Sequence, residues 1–120
     1  MAVNYFKKLR DGYVSNQVKH IKLDYFEPSS TVRKSIIFSG RVQKVGFRLE
    51  IYEIAKRMNL TGWVKNRIDK NVEAEIQGEN DKIIFLINYM KSLKRASVQN
   101  IEINEMMIVD GESEFTVIRK

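Results

Sequence analysis

Arg48 and Asn66, eighteen residues apart, are the two side chains in this chain best placed to do chemistry together. Arg48 closes the stretch Gly40-Arg41-Val42-Gln43-Lys44-Val45-Gly46-Phe47-Arg48, a short cationic loop between an apolar run and a helical stripe. A strand that turns tightly into a helix gathers backbone N–H groups without intrahelical partners, and it points the positive end of the helix dipole at the same spot. An arginine in the first helical turn adds a fork of donors, so the loop reads as a seat for a phosphate-sized dianion. Taken singly, an arginine here is more often a solvated helix residue, and an asparagine at a strand end more often belongs to a turn. Their joint placement is what suggests a site.

The elements around the loop follow from residue spacing. Lys34 to Ser39 is a β-branched and aromatic run, which predicts a first strand over about 34–40. Phe47, Ile51, Ile54, Ala55 and Met58 recur at helical spacing and predict a helix over about 47–59. Leu60-Thr61-Gly62-Trp63-Val64-Lys65-Asn66-Arg67 reads as a second strand, with Trp63 as half-buried core packing. Asp69-Lys70-Asn71 reads as a turn, because Asp and Asn bond to their own local backbone. Val72, Ala74 and Ile76 alternate with Glu73, Glu75 and Gln77, a third strand with one buried face. Ile83, Leu86, Ile87 and Met90 define a second amphipathic helix; Ile101 and Ile103 mark a fourth strand and Phe115 to Arg119 a fifth. Met90, Met106 and Met107 read as gap-filling hydrophobes. The order βαββαβ predicts a ferredoxin-like α/β sandwich, with a mostly antiparallel sheet and two helices on one face. The helical crossover makes strands one and two run in the same direction, so Asn66 and the loop ending at Arg48 meet at one sheet edge.

Residues 1–33 are a basic N-terminal extension, and residues 34–120 the folded domain. Within the extension, Ile21, Leu23 and Tyr25 alternate like a short strand, yet Val14, Val18, Ile21 and Tyr25 also fit a helical stripe. Pro28-Ser29-Ser30-Thr31 reads as the linker. The net charge of +6 is uneven: residues 1–34 carry +4 and residues 35–120 only +2. A domain so nearly balanced lacks the basic face of a dedicated nucleic-acid binder, whereas small acidic ligands remain compatible. Lys7, Lys8 and Arg10 read as a solvated face. The chain has no cysteine and a single histidine, His20, so thiol chemistry and thiolate metal sites are excluded and no metal or other cofactor is expected. No apolar run approaches membrane-spanning length and the amino terminus lacks a signal-peptide core, so the expected location is the cytoplasm.

The two stretches together resemble the acylphosphatase family. Gly40-x-Val42-Gln43-x-Val45-x-Phe47-Arg48 is similar to that family's phosphate-loop signature, and Leu60-Thr61-Gly62-Trp63-Val64-x-Asn66 to its second signature, at the family's spacing. The similarity runs over about residues 34–120 and ends in Phe115-Thr116-Val117-Ile118. It implies hydrolysis of a small-molecule acyl phosphate to carboxylate and inorganic phosphate. Arg48 and the amides of Gln43, Lys44, Val45, Gly46, Phe47 and Arg48 would bind the phosphoryl oxygens, and Asn66 would orient the attacking water. One residue departs from the family pattern within the loop: Lys44 stands where glycine is usual. If that position needs a positive φ, the lysine costs about 1–2 kcal/mol and is expected to reduce or alter activity rather than abolish it. Lys70 likewise stands where the family's hairpin commonly has glycine.

The competing reading is a catalytically weak module of the same fold that binds phosphate ligands or a partner. An RNA-recognition role needs a Gly/aromatic signature on the third strand, and Val72-Glu73-Ala74-Glu75-Ile76 is acidic and lacks aromatics. The sequence does not identify the acyl group or the oligomeric state.

Overall fold

The computed structural model describes residues 28–119. Its elements are β1 (Thr31–Arg41), α1 (Phe47–Arg57), β2 (Thr61–Asn66), β3 (Val72–Glu79), α2 (Asn80–Lys91), β4 (Ser97–Met106) and β5 (Phe115–Ile118). The features expected within residues 1–27, including the strand or helix near Ile21, the basic Lys7, Lys8 and Arg10, and His20, lie outside the described residues. The strands form one sheet in the order β4-β1-β3-β2-β5, antiparallel throughout except for the parallel β2–β5 pair. This is the expected ferredoxin-like sandwich, with β5 added beside β2.

The even-numbered residues of the inner strands build the core. Ile36, Phe38, Val64, Val72, Ala74 and Ile76 are fully buried, and they meet Phe47, Ile51, Ile54 and Ala55 of α1 and Ile83, Leu86 and Met90 of α2. Each of these side chains larger than alanine contributes about 1.5–3 kcal/mol on burial, so the apolar spacing of the two helices accounts for where they dock. Helix α1 packs against β2 and β5, α2 against β3, and the two helices touch each other.

Several expectations shift at the edges. β1 begins at Thr31 rather than near residue 34, because Thr31, Val32 and Arg33 pair through their backbones with Glu79, Gly78 and Gln77. The Asn80 N–H donates to the Ser30 carbonyl at 3.0 Å, so the end of the expected linker is fastened to the start of α2. Helix α1 ends two residues sooner than expected, with Asn59 at φ 56. Trp63 is half-buried, as expected, but not in the core: it points to the helix-free face, where the Lys65 ammonium lies 5.4 Å from its ring centroid. Met90 fills the core, whereas Met106 and Met107 are exposed.

The helix-free face is partly covered by residues 107–114, which must cross the sheet from the β4 edge to the β5 edge. Gln77 grips this crossing by accepting from the Val109 N–H at 2.8 Å and donating to the Val109 carbonyl at 3.1 Å. Arg33, almost wholly buried, donates to Glu112 at 2.8 Å, Glu75 at 2.9 Å and Gln77 at 3.2 Å. Burial alone would push the Arg33 guanidinium down, but its hydrogen bonds to Glu112 and Glu75 outweigh that and hold it above its ordinary value. Arg33→Met removes the cation from between two carboxylates and is expected to cost about 3 kcal/mol of stability. Urea unfolding checks this; a loss below about 1 kcal/mol would show that the strap does not depend on Arg33.

Candidate active site

The loop after β1 is pinned at both ends by buried apolar side chains. Val42 is fully buried, and Phe47 packs edge-on against Phe38 with ring centroids 5.1 Å apart. Gly40, at φ 118, lies at an irregularity in the β1–β4 pairing, where an added Cβ would sit 2.1 Å from the Ser97 carbonyl oxygen. Only glycine lets β4 approach so closely at the point where the chain leaves the sheet. Gly46, at φ 78, is the N-cap of α1, and no side chain caps the helix there. The first-turn amides are thus left for a ligand, and Arg48 stands in that turn.

Lys44 is exposed and has φ 63, in the left-handed region, so the strain foreseen for a non-glycine residue at this position is present. Replacing it should relieve that strain, although glycine gains freedom in the unfolded chain. Lys44→Gly is therefore expected to raise stability by about 1 kcal/mol, read as a melting temperature higher by a few degrees. It should also raise kcat/KM for an aryl acyl phosphate roughly fivefold. An unchanged rate would mean that the lysine is inconsequential for turnover. The hairpin shows the same pattern at Lys70, whose φ is 73; its N–H donates to the Arg67 carbonyl at 3.2 Å, and Asn71 N–H to Asp69 Oδ1 at 3.2 Å.

Asn66 comes to the loop through the sheet. β1 and β2 both run antiparallel to β3, and Phe38 and Asn66 lie opposite the same residue, Val72. The two strand ends are therefore two strand spacings apart, about 10 Å. Gln43 spans that gap: its Nε2 donates to the carbonyls of Arg67 and Asn71, each at 2.9 Å. The Gln43 side chain thus ties the loop to the hairpin next to Asn66, and only its backbone amide remains for an anion. Asn66 Oδ1 is buried and has no hydrogen-bond partner among the described residues. An unsatisfied buried acceptor costs about 1–3 kcal/mol, so this one needs an explanation.

A second support beneath the loop was not foreseen. Arg95, in the connection between α2 and β4, donates from Nε to the Val45 carbonyl at 2.7 Å and from Nη2 to Glu50 Oε1. Glu50 is fully buried in the first turn of α1. The one local signal is that Glu50 shares the buried stripe of Ile54; its partner, 45 residues on, has no signature.

Among the described residues no three His, Cys, Asp or Glu side chains cluster as metal ligands, and no helix is long and apolar enough to cross a membrane. Fold and loop together define an α/β sandwich with a strand–loop–helix turn, capped by no side chain, at one sheet edge. The acylphosphatase family model matches residues 34–117. An acylphosphatase of Clostridium beijerinckii is 42% identical over 87 residues, spanning 72% of this chain and 97% of that protein. The crystal structure of the Bacillus subtilis acylphosphatase superposes with a TM-score of 0.68 at 31% identity, over 73% of this chain and 99% of that one. An acylphosphatase structure from Coxiella burnetii gives the same TM-score at 34% identity, over 73% of this chain and 93% of that one. The chain belongs to the acylphosphatase family, hydrolases that act on small acyl phosphates.

Proposed function

We propose that the chain hydrolyses small acyl phosphates in the cytoplasm, with the phosphoryl group seated on the amides of residues 43–48 and on Arg48, and the water held by Asn66. The observation that carries this assignment is the Gln43 bridge, which fastens the loop to the hairpin beside the buried, unpartnered Asn66 Oδ1. Water attacks phosphorus in line, the bond from phosphorus to the acyl oxygen breaks, and the carboxylate leaves with the bonding electrons. The water's protons go to the forming phosphate and to solvent, since an amide oxygen orients water without acting as a strong base. Phosphoryl transfer through a loose transition state asks mainly for positioning and charge stabilisation, which Arg48 and aligned amides supply. The carboxylate is already a good leaving group, so no thiolate or imidazole is needed at the site.

The test is hydrolysis of a simple aryl acyl phosphate by the full chain, with a chelator present, followed as release of inorganic phosphate. Turnover far above the spontaneous rate is expected. A folded protein no faster than the spontaneous reaction would sink this reading. It would favour a phosphate-binding module instead, for which the left-handed Lys44 in the loop is the supporting observation.

A further inference from the structure

We infer that Arg95 is a positioning residue for the phosphate loop, acting through the Val45–Gly46 peptide. This rests on reading the loop as the phosphoryl seat. In a trans amide the carbonyl and the following N–H point in opposite directions. By holding the Val45 carbonyl at 2.7 Å, Arg95 turns the Gly46 N–H the opposite way. Gly46 sits at φ 78 and, as a glycine, would also accept other backbone conformations, so its own conformational preference does little to hold this peptide in one orientation. A flipped peptide would offer the phosphoryl group a carbonyl oxygen in place of an N–H, exchanging attraction for repulsion.

Two further contacts brace this peptide from either side, one on the next peptide along and one on Arg95 itself. The Glu50 N–H donates to the Gly46 carbonyl at 3.0 Å, opening the hydrogen-bond ladder of α1. The Glu50 carboxylate, buried and with Oε2 unpartnered among the described residues, holds the second arm of Arg95 through Oε1. Glu50 thus fixes Gly46 through its own backbone, and Val45 through Arg95. Arg95 also offsets a buried negative charge lying under a site meant for a dianion. Buried ion pairs are often replaceable by apolar residues with no loss of stability. Fold stability alone therefore does not account for this pair beneath the loop.

The experiment compares wild type with Arg95→Lys and with the double variant Arg95→Leu/Glu50→Met. Each is titrated with inorganic phosphate by amide NMR, melted, and assayed on an aryl acyl phosphate. The wild type is expected to bind phosphate, with the Gly46 amide among those that shift. Both variants should bind phosphate about tenfold more weakly and show a KM raised by a similar factor, with a smaller change in kcat. Arg95→Lys keeps the charge beside Glu50 but lacks the planar fork that serves two acceptors at once. It therefore carries the test if the double variant does not fold. Folded variants that bind phosphate within twofold of wild type, with the Gly46 shift intact, would overturn the inference while leaving the site assignment standing. A wild type that neither binds phosphate nor turns over would overturn both, and that result needs no variant to be seen.

Discussion

Arg48→Ala is expected to lower kcat/KM for an aryl acyl phosphate by at least about a thousandfold, with the melting temperature close to wild type. A thousandfold corresponds to about 4 kcal/mol of transition-state stabilisation, the scale associated with an arginine that meets developing phosphoryl charge. Arg48 stands in the first turn of α1, half-buried, and the core residues on either side of it, Phe47 and Ile51, do not depend on it. Alanine is the better helix former, so the substitution leaves the α1 scaffold in place. Arg48→Lys separates charge from geometry. A lysine returns the positive charge as a single point but not the planar pair of donors, so it should recover only part of the loss. The effect should appear in phosphate affinity as well as in kcat, because product and transition state share the same equatorial oxygens. Turnover within tenfold of wild type in a folded Arg48→Ala protein would remove Arg48 from the site.

The sequence made the site legible to the extent that its parts were local. The β1 run, the α1 stripe and the alternation of Val72, Ala74 and Ile76 each advertise one buried face, and the crossover then brings Asn66 to the loop. The strain at Lys44 was foreseeable from the resemblance, and φ 63 bears it out. What escaped was non-local or carried by the backbone. Thr31 and Val32 join the sheet through backbone pairing with Glu79 and Gly78, leaving no side-chain pattern to read. Arg33 looks like a surface cation in sequence; it is buried because Glu75 and Glu112, 42 and 79 residues away, converge on it. Arg95 and Glu50 are the same case at the site itself. Trp63 was misplaced because an aromatic on a central strand suits either face, and its odd register with Lys65 puts it on the helix-free side. Met106 and Met107 are exposed because β4 is an edge strand and the chain leaves the sheet there.

Asn66→Ala should separate activity from stability in opposite directions. It deletes a buried acceptor with no hydrogen-bond partner among the described residues, so the melting temperature should hold or rise. The same deletion removes the group proposed to hold the attacking water, and kcat should fall by about a hundred- to a thousandfold with little change in KM. A purely structural asparagine would do the reverse and lose stability along with activity. Asn66→Asp sharpens the point, because it keeps an acceptor of the same shape while placing a carboxylate beside a phosphoryl dianion. If the amide oxygen orients water in a site built for negative charge, the aspartate variant should also turn over slowly, and its KM should rise through repulsion. Near-normal turnover by Asn66→Asp would mean that a charged oxygen is tolerated there and that the orienting-amide role is wrong. Slow turnover by both variants, with both folds intact, would tie the buried Asn66 oxygen to the chemistry rather than to the fold.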